Sequence, residues 1–134
     1  MSALESSVYY KLVNDGPILA LVGTRIYPNY APIGAANPCI TYTKVSGEDV
    51  RSAAGDSGLS SANIQIGCWA DTYLEAATIR AAVIACLNDY VGTVDGIAFQ
   101  VIALMNDFDA PVVEPENEEQ NEFGKLLDFV VWFK

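Results

Sequence analysis

The residues in this chain with the greatest capacity for chemistry are carboxylates, which are concentrated between residues 107 and 122. This segment reads DFDAPVVEPENEEQNE and contains no basic residue. Its seven acids are Asp107, Asp109, Glu114, Glu116, Glu118, Glu119 and Glu122. Asp107, Asp109 and Glu118 match the first, third and twelfth positions of an EF-hand loop, but Val112 stands where that loop requires glycine. The spacing therefore excludes an EF-hand and favours a solvated acidic loop over loose binding of Mg²⁺ or Ca²⁺.

Side chains for catalysis or for a structural metal are scarce elsewhere. The chain contains no histidine, which removes the commonest general base. Cys39, Cys68 and Cys86 lie inside apolar runs and show no CxxC spacing, so they are predicted to be buried free thiols. Ser57 lies in a GDSG sequence that lacks the spacing of a nucleophile elbow. We therefore predict that the protein is not an enzyme and that it needs no cofactor.

The charge balance restricts the possible partners. Seventeen acids against seven bases give a formal net charge of −10, so we expect no specific binding to nucleic acid. The charge either lines a passage through which DNA slides without adhering or simply keeps the protein soluble. The first residues, MSALESS, lack the features of a signal peptide, and no apolar run approaches the ~18 residues that span a membrane. These observations predict a soluble protein of the cytoplasm with no membrane partner.

Hydrophobic spacing predicts a single α+β domain over residues 1–134. The expected order of elements is α-β-β-β-α-β-β, which forms a mostly antiparallel sheet of four to five strands with two helices packed on one face. The first helix starts at a Ser2–Glu5 capping box, and the second starts at a Thr72–Glu75 capping box. The inner stripe of the second helix is predicted at Leu74, Ala77, Ala81, Ile84, Ala85 and Asn88. Residues 46–62, rich in Gly, Ser, Ala and Asp, are predicted to form a long flexible loop.

Two of the predicted strands have one apolar face and one mixed face. The mixed faces carry Trp69 and Trp132, with Gln65 and Val130 close by if the two strands are neighbours. Tryptophan within a polar rim is typical of a protein interface, although the loop at 46–62 or the first helix could instead cover both indoles. Arg51, in the predicted loop, is a further candidate for contact with a carboxylate of a partner.

Several segments in this order resemble a known family. They read PILALVGTRIYPNYAP at 17–32, NPCITYTKVSGE at 37–48 and ANIQIGCWADTYLEAATIRAAVIACL at 62–87, followed by the acidic loop and a last apolar strand. Nearly the whole chain is similar to the tail-completion proteins of long-tailed bacteriophages, the family that includes the tail terminators. Gly67 departs from the family pattern, and we expect it to mark the close approach of a neighbouring backbone.

The resemblance implies a structural virion protein that forms a ring, usually a hexamer. Such a ring caps the tail tube, stops its polymerisation and forms the surface to which the head is joined. The implied partners are other copies of the chain, the tail tube protein and the head–tail connector, while DNA passes through the lumen without specific binding. The protein would be assembled in the host cytoplasm and reside at the head–tail interface. The alternatives are a head-side connector or adaptor and, from a different class, a small acidic ligand-binding module.

Overall fold

A computed structural model describes residues 3–30, 32, 36–52, 55–110 and 123–134. These residues form three helices and six strands, which confirms the α+β class but exceeds the two helices and four to five strands that were predicted. The helices are α1 (Ala3–Val13), α2 (Gly16–Val22) and α3 (Tyr73–Leu87). The strands are β1 (Ile26–Pro28), β2 (Cys39–Ser52), β3 (Gly55–Ala70), β4 (Gly92–Val94), β5 (Ile97–Asp109) and β6 (Phe123–Phe133).

The strands form one mixed sheet in the order β1-β2-β3-β6-β5-β4. The β1–β2 pair is parallel, and every other neighbouring pair is antiparallel. Strand β1 ends at Pro28 and lies at the edge of the sheet. Proline has no backbone N–H, and an edge strand tolerates this because one of its sides has no partner strand. The last strand of the sequence, β6, is inserted between β3 and β5, so β3 and β6 occupy the centre of the sheet.

The helices pack on one face of this sheet and bury it. In α1 the buried residues Leu4, Val8 and Leu12 lie four residues apart, which places them on one side of the helix. The sides of β3 and β6 that face the helices form the middle of the core. The buried side chains there are Ile64, Ile66, Cys68, Leu127, Phe129 and Val131.

Helix α3 begins as predicted but presents a different side to the core. The Thr72 hydroxyl accepts a hydrogen bond of 3.2 Å from the Glu75 backbone N–H, which confirms this half of the capping box. The predicted inner stripe is wrong, because Leu74 is 77% exposed. The buried residues are Ala76, Ile79, Val83, Cys86 and Leu87. Alanine and aliphatic residues occur on every side of α3, so apolar spacing alone does not single out the buried side.

The predicted loop at 46–62 is wrong for the described residues, which are paired strand. Strand β2 runs on to Ser52 and β3 starts at Gly55, with cross-strand pairs from Ser46–Asn63 to Ser52–Gly55. The register shifts between Lys44 and Ser46 and again between Val50 and Arg51. Small polar residues do not alternate with apolar ones, so this segment lacks the sequence signal of a strand. The hairpin is instead held by backbone hydrogen bonds that continue outward from the core strands.

Two further elements differ from the sequence prediction. Strand β4 has three residues and forms a short hairpin with β5, which is too brief for a periodic signal. Strand β5 continues to Asp109, so Asp107 and Asp109 belong to a strand and not to the predicted acidic loop. Residues 111–122 lie outside the described residues. Over the described part of the chain, no helix combines the length and the apolar character needed to cross a membrane.

Candidate interaction surface on the outer sheet face

The sheet face turned away from the helices, called the outer face here, is the candidate functional site. Along β6, buried and half-buried residues alternate, so the helices cover one face while the other keeps partial contact with solvent. Directly opposed residues of paired strands share a face. The register therefore places on the outer face Gln65, Gly67 and Trp69 of β3, Gly124, Leu126, Asp128, Val130 and Trp132 of β6, and Val101 and Ala103 of β5.

Four of the five predicted interface residues lie on this face. Trp69 is opposite Gly124, Gln65 is opposite Asp128, and Val130 and Trp132 follow along β6. All four are half-buried. The side-chain amide of Gln65 donates a hydrogen bond of 3.1 Å to the Asp128 carboxylate, so this pair is satisfied within the sheet.

The fifth candidate, Arg51, is separate from this group. Its backbone pairs with Asp56 near the end of the β2–β3 hairpin. The side chain of Arg51 lies outside the described part of the structure. Its predicted contact with a partner therefore remains a prediction.

Trp69 is fitted closely to its own sheet. Its indole N–H donates a hydrogen bond of 3.0 Å to the Thr41 hydroxyl on β2. A Cβ atom placed on Gly67 would lie 2.6 Å from the indole nitrogen, and one placed on Gly124 would lie 2.5 Å from the six-membered ring. The close neighbour of Gly67 is therefore this indole, together with the Thr41 side chain, and not the neighbouring backbone that was predicted. Glycine is needed at both positions because any larger side chain would displace the ring.

Trp132 has a different environment at the other end of the outer face. It is opposite Ser61 on β3 and Val101 on β5, and Val130 and Ala103 form the next cross-strand pair. Among the described residues, no side-chain or backbone acceptor receives the Trp132 indole N–H. A half-buried tryptophan with a free donor, next to apolar side chains of β5 and β6 and to polar side chains of β3, is typical of a protein interface.

Further apolar side chains lie farther along β5. Met105 lies at a register shift in the strand and is 67% exposed. Phe108 is opposite Leu126 and is also exposed. They add exposed apolar surface on β5, which the polar row of Gln65, Asp128 and Asn106 separates from the apolar side chains around Trp132.

The two described acids of the predicted acidic loop are paired with cations of the chain itself. The Arg80 guanidinium of α3 donates hydrogen bonds to the Asp107 carboxylate, and this interaction lowers the pKa of Asp107. The Lys125 ammonium of β6 forms an ion pair with Asp109 and donates a hydrogen bond of 2.6 Å to the Tyr73 hydroxyl. These contacts raise the pKa of Lys125, with the Asp109 hydrogen bond as the larger cause. The other five acids, Glu114, Glu116, Glu118, Glu119 and Glu122, lie outside the described residues.

The Arg80–Asp107 pair predicts a small stability effect that depends on pH. The folded pKa of Asp107 is lower than its ordinary value, so the pair stabilises the fold above the unfolded pKa of about 4. This contribution is lost as the pH falls through the folded pKa. Asp107→Asn is expected to lower the free energy of unfolding at pH 7 by up to ~1 kcal/mol, because the pair is partly exposed. The deficit should shrink as the pH falls below about 4, as measured by urea unfolding.

The matched control for this measurement is Asp89→Asn. It removes the same charge just beyond the C-terminal end of α3, where the helix dipole disfavours an anion, so no loss of stability is expected at pH 7. Equal pH profiles for the two variants would show that Arg80 contributes nothing to stability through Asp107.

The cysteines and the cavities offer no reactive centre in the described part of the chain. All three cysteines are free and buried, as predicted, and burial raises the pKa of Cys68 to about 12 and that of Cys86 to about 11. No three His, Cys, Asp or Glu side chains among the described residues are grouped to hold a metal. One open surface depression has a volume of about 300 Å³. It is lined by Tyr10, Lys11, Asn14, Asp15, Thr93, Val94 and Asp95.

Comparison with known proteins identifies the family. The family model of tail completion protein gp17 matches residues 6–111, from within α1 through β5. The chain belongs to the tail completion protein gp17 family. This family consists of structural virion proteins and not of enzymes, so the chain is a structural component of a phage virion with a role in the tail. The family resemblance predicted from the sequence is thereby confirmed.

A solved structure has the same fold. It is a chain from the virion of a native gene transfer agent particle, with a TM-score of 0.78 and 20% sequence identity. The alignment covers 97% of this chain and 93% of that chain. The likeness therefore extends over nearly the whole chain. A search among curated proteins finds no match.

Proposed function

We propose that this tail completion protein closes the phage tail tube as a ring of six copies. The ring stops further polymerisation of the tube and forms the surface to which the head is joined. The observation that supports this most directly is the outer face, where two central strands present half-buried apolar side chains that no described helix covers. A structural protein of the tail with such a face requires a partner, and another copy of the chain is the partner always present.

A closed ring needs two different patches that meet between neighbouring copies. The outer face supplies one patch, with Trp132 and Val130 at its centre and the Gln65–Asp128 pair as a polar border. The helical side of the molecule supplies candidates for the other, because it carries large apolar side chains in contact with solvent. These are Tyr10 of α1, Leu19 of α2, and Tyr73 and Leu74 of α3. Packing the outer face of one copy on the helices of the next produces a head-to-tail contact, which is the kind that closes rings.

The remaining acids are assigned to the lumen or to a partner. Asp107 and Asp109 are neutralised by Arg80 and Lys125, so the available negative charge of the segment comes from its other five carboxylates. Carboxylates facing the lumen repel the phosphates of passing DNA and keep it from adhering. Exchanging these five residues for Gln should therefore slow DNA ejection, and normal ejection would argue against the lumen assignment.

Electron microscopy of tails assembled without this protein tests the proposal. Tubes longer than those of the complete phage, with no joined heads, are the expected result, and adding back the purified protein should restore both length and joining. Tubes of normal length that fail to join heads would instead indicate a head-side adaptor. Normal tubes that join heads normally would overturn the proposed function.

A further inference from the structure

The two tryptophans of the outer face are held in different ways, and this difference suggests different roles. We infer that Trp69 is an internal brace that fixes the base of the 111–122 connection, and that contact with neighbouring copies centres on Trp132. The first half of this inference stands on the contacts of Trp69 within the subunit. The second half rests on the proposed function.

On the outer face, Trp69 covers the residues that close the connection. The Ala110 backbone N–H donates a hydrogen bond of 2.9 Å to the Gly124 carbonyl, which extends the β5–β6 ladder by one step beyond Asp109. The six-membered ring of Trp69 lies directly over Gly124, and the Ala110 methyl group lies beside the same point. The indole therefore shields the backbone pair at which the chain leaves and re-enters the sheet.

On the opposite face, ionic and aromatic contacts hold the same strand ends. Asp109, immediately before Ala110, is paired with Lys125, immediately after Gly124. The Lys125 ammonium also lies 4.0 Å from the centre of the Tyr73 ring, and that ring packs edge-to-face on Phe123. Side-chain contacts on both faces of the sheet thus hold these strand ends, and Trp69 provides the contact on the outer face.

The hydrogen-bonding state of the two indoles separates their roles. The Trp69 N–H is committed to Thr41, and moving this ring towards a partner would break that bond and empty the space over two glycines. The Trp132 N–H has no acceptor among the described residues and can donate to a partner without such a loss. A brace at this position fixes Ala110 and Gly124, the paired residues at the ends of the two strands.

Hydrogen exchange on the isolated subunit tests the brace. Trp69→Phe is expected to accelerate amide exchange at Ala110 by about tenfold, because the smaller ring loses the Thr41 bond and covers less of Gly124. The matched variant Trp132→Phe should leave Ala110 exchange unchanged. Equal exchange at Ala110 in both variants would overturn the role of Trp69 as a brace. This readout needs no ring and no tail, so it is independent of the proposed function.

A second pair of variants covers the case in which Trp69→Phe does not fold. Thr41→Val removes the acceptor while keeping the shape of the side chain, and Gly124→Ala pushes on the ring; both should accelerate Ala110 exchange and change the near-ultraviolet circular dichroism of Trp69. Unchanged exchange in both would equally overturn the brace. Self-association tests whether contact between copies centres on Trp132. Trp132→Phe should weaken self-association more than Trp69→Phe does. The reverse order would overturn it.

Discussion

Trp132→Ala is expected to weaken self-association by about 30-fold or more while leaving the subunit folded. Interface tryptophans that lie in an apolar surrounding commonly contribute 2 kcal/mol or more to binding, which corresponds to about this factor. Trp132 is half-buried in the isolated subunit, so its removal leaves the core on the opposite side of β6 intact. Sedimentation equilibrium over a range of protein concentrations measures the effect, and co-sedimentation with purified tail tubes measures it if the ring closes on the tube.

Val91→Ala provides the control for this experiment. Val91 is exposed and lies between α3 and β4, outside the outer face, so its truncation removes apolar surface without touching the proposed contact. Association should match that of the unaltered protein. If Trp132→Ala and Val91→Ala both associate normally, the outer face is not the contact between copies.

Phe129→Ala is expected to lower the free energy of unfolding by about 3–5 kcal/mol, the range for deleting a buried phenylalanine side chain. Phe129 lies in the middle of β6 on the helix-covered face, is 1% exposed, and is opposite Ile64 and Leu104 of the neighbouring strands. The cavity would lie between the central strands and α3, where little can collapse to fill it. Urea unfolding followed by circular dichroism provides the measurement.

The adjacent residue supplies the matched comparison. Val130 lies on the outer face and is half-buried, so Val130→Ala should cost the isolated subunit less than about 1 kcal/mol while still weakening association. Similar destabilisation at Val130 and Phe129 would mean that both faces of β6 are covered in the single subunit. That result would remove the basis of the proposed interface.

The central part of the fold could be predicted from the sequence because its local signals agree with its packing. Alternation in β3 and β6 correctly separates the buried residues, such as Ile66 and Phe129, from the outer residues Gln65, Trp69 and Trp132. The first helix and the Thr72 cap were predictable for the same reason, since spacing and capping chemistry act within a few residues.

The parts that were missed depend on contacts between distant residues. The β2–β3 hairpin extends through residues with little apolar content, and the backbone pairing of the core strands continues into it across two register shifts. The hydrogen bond from Trp69 to Thr41 joins residues 28 positions apart. It depends on the pairing of β3 with β2, so the sequence around either residue does not predict it. One local signal was available: Gly67 lies two residues before Trp69, on the same face, where an indole folded over its own strand needs a residue without a side chain.

The burial of Cys39, Cys68 and Cys86 has a practical consequence for locating the neighbours of this protein in the virion. A thiol reacts as its thiolate, and inaccessible sulfur atoms with a raised pKa, as in Cys68 and Cys86, supply very little of it at neutral pH. A cysteine introduced at an exposed position therefore becomes the preferred target for a thiol-specific cross-linker without removal of the native three. Zero-length and long-arm reagents applied to intact tails could then measure, position by position, how far each labelled surface lies from adjoining proteins.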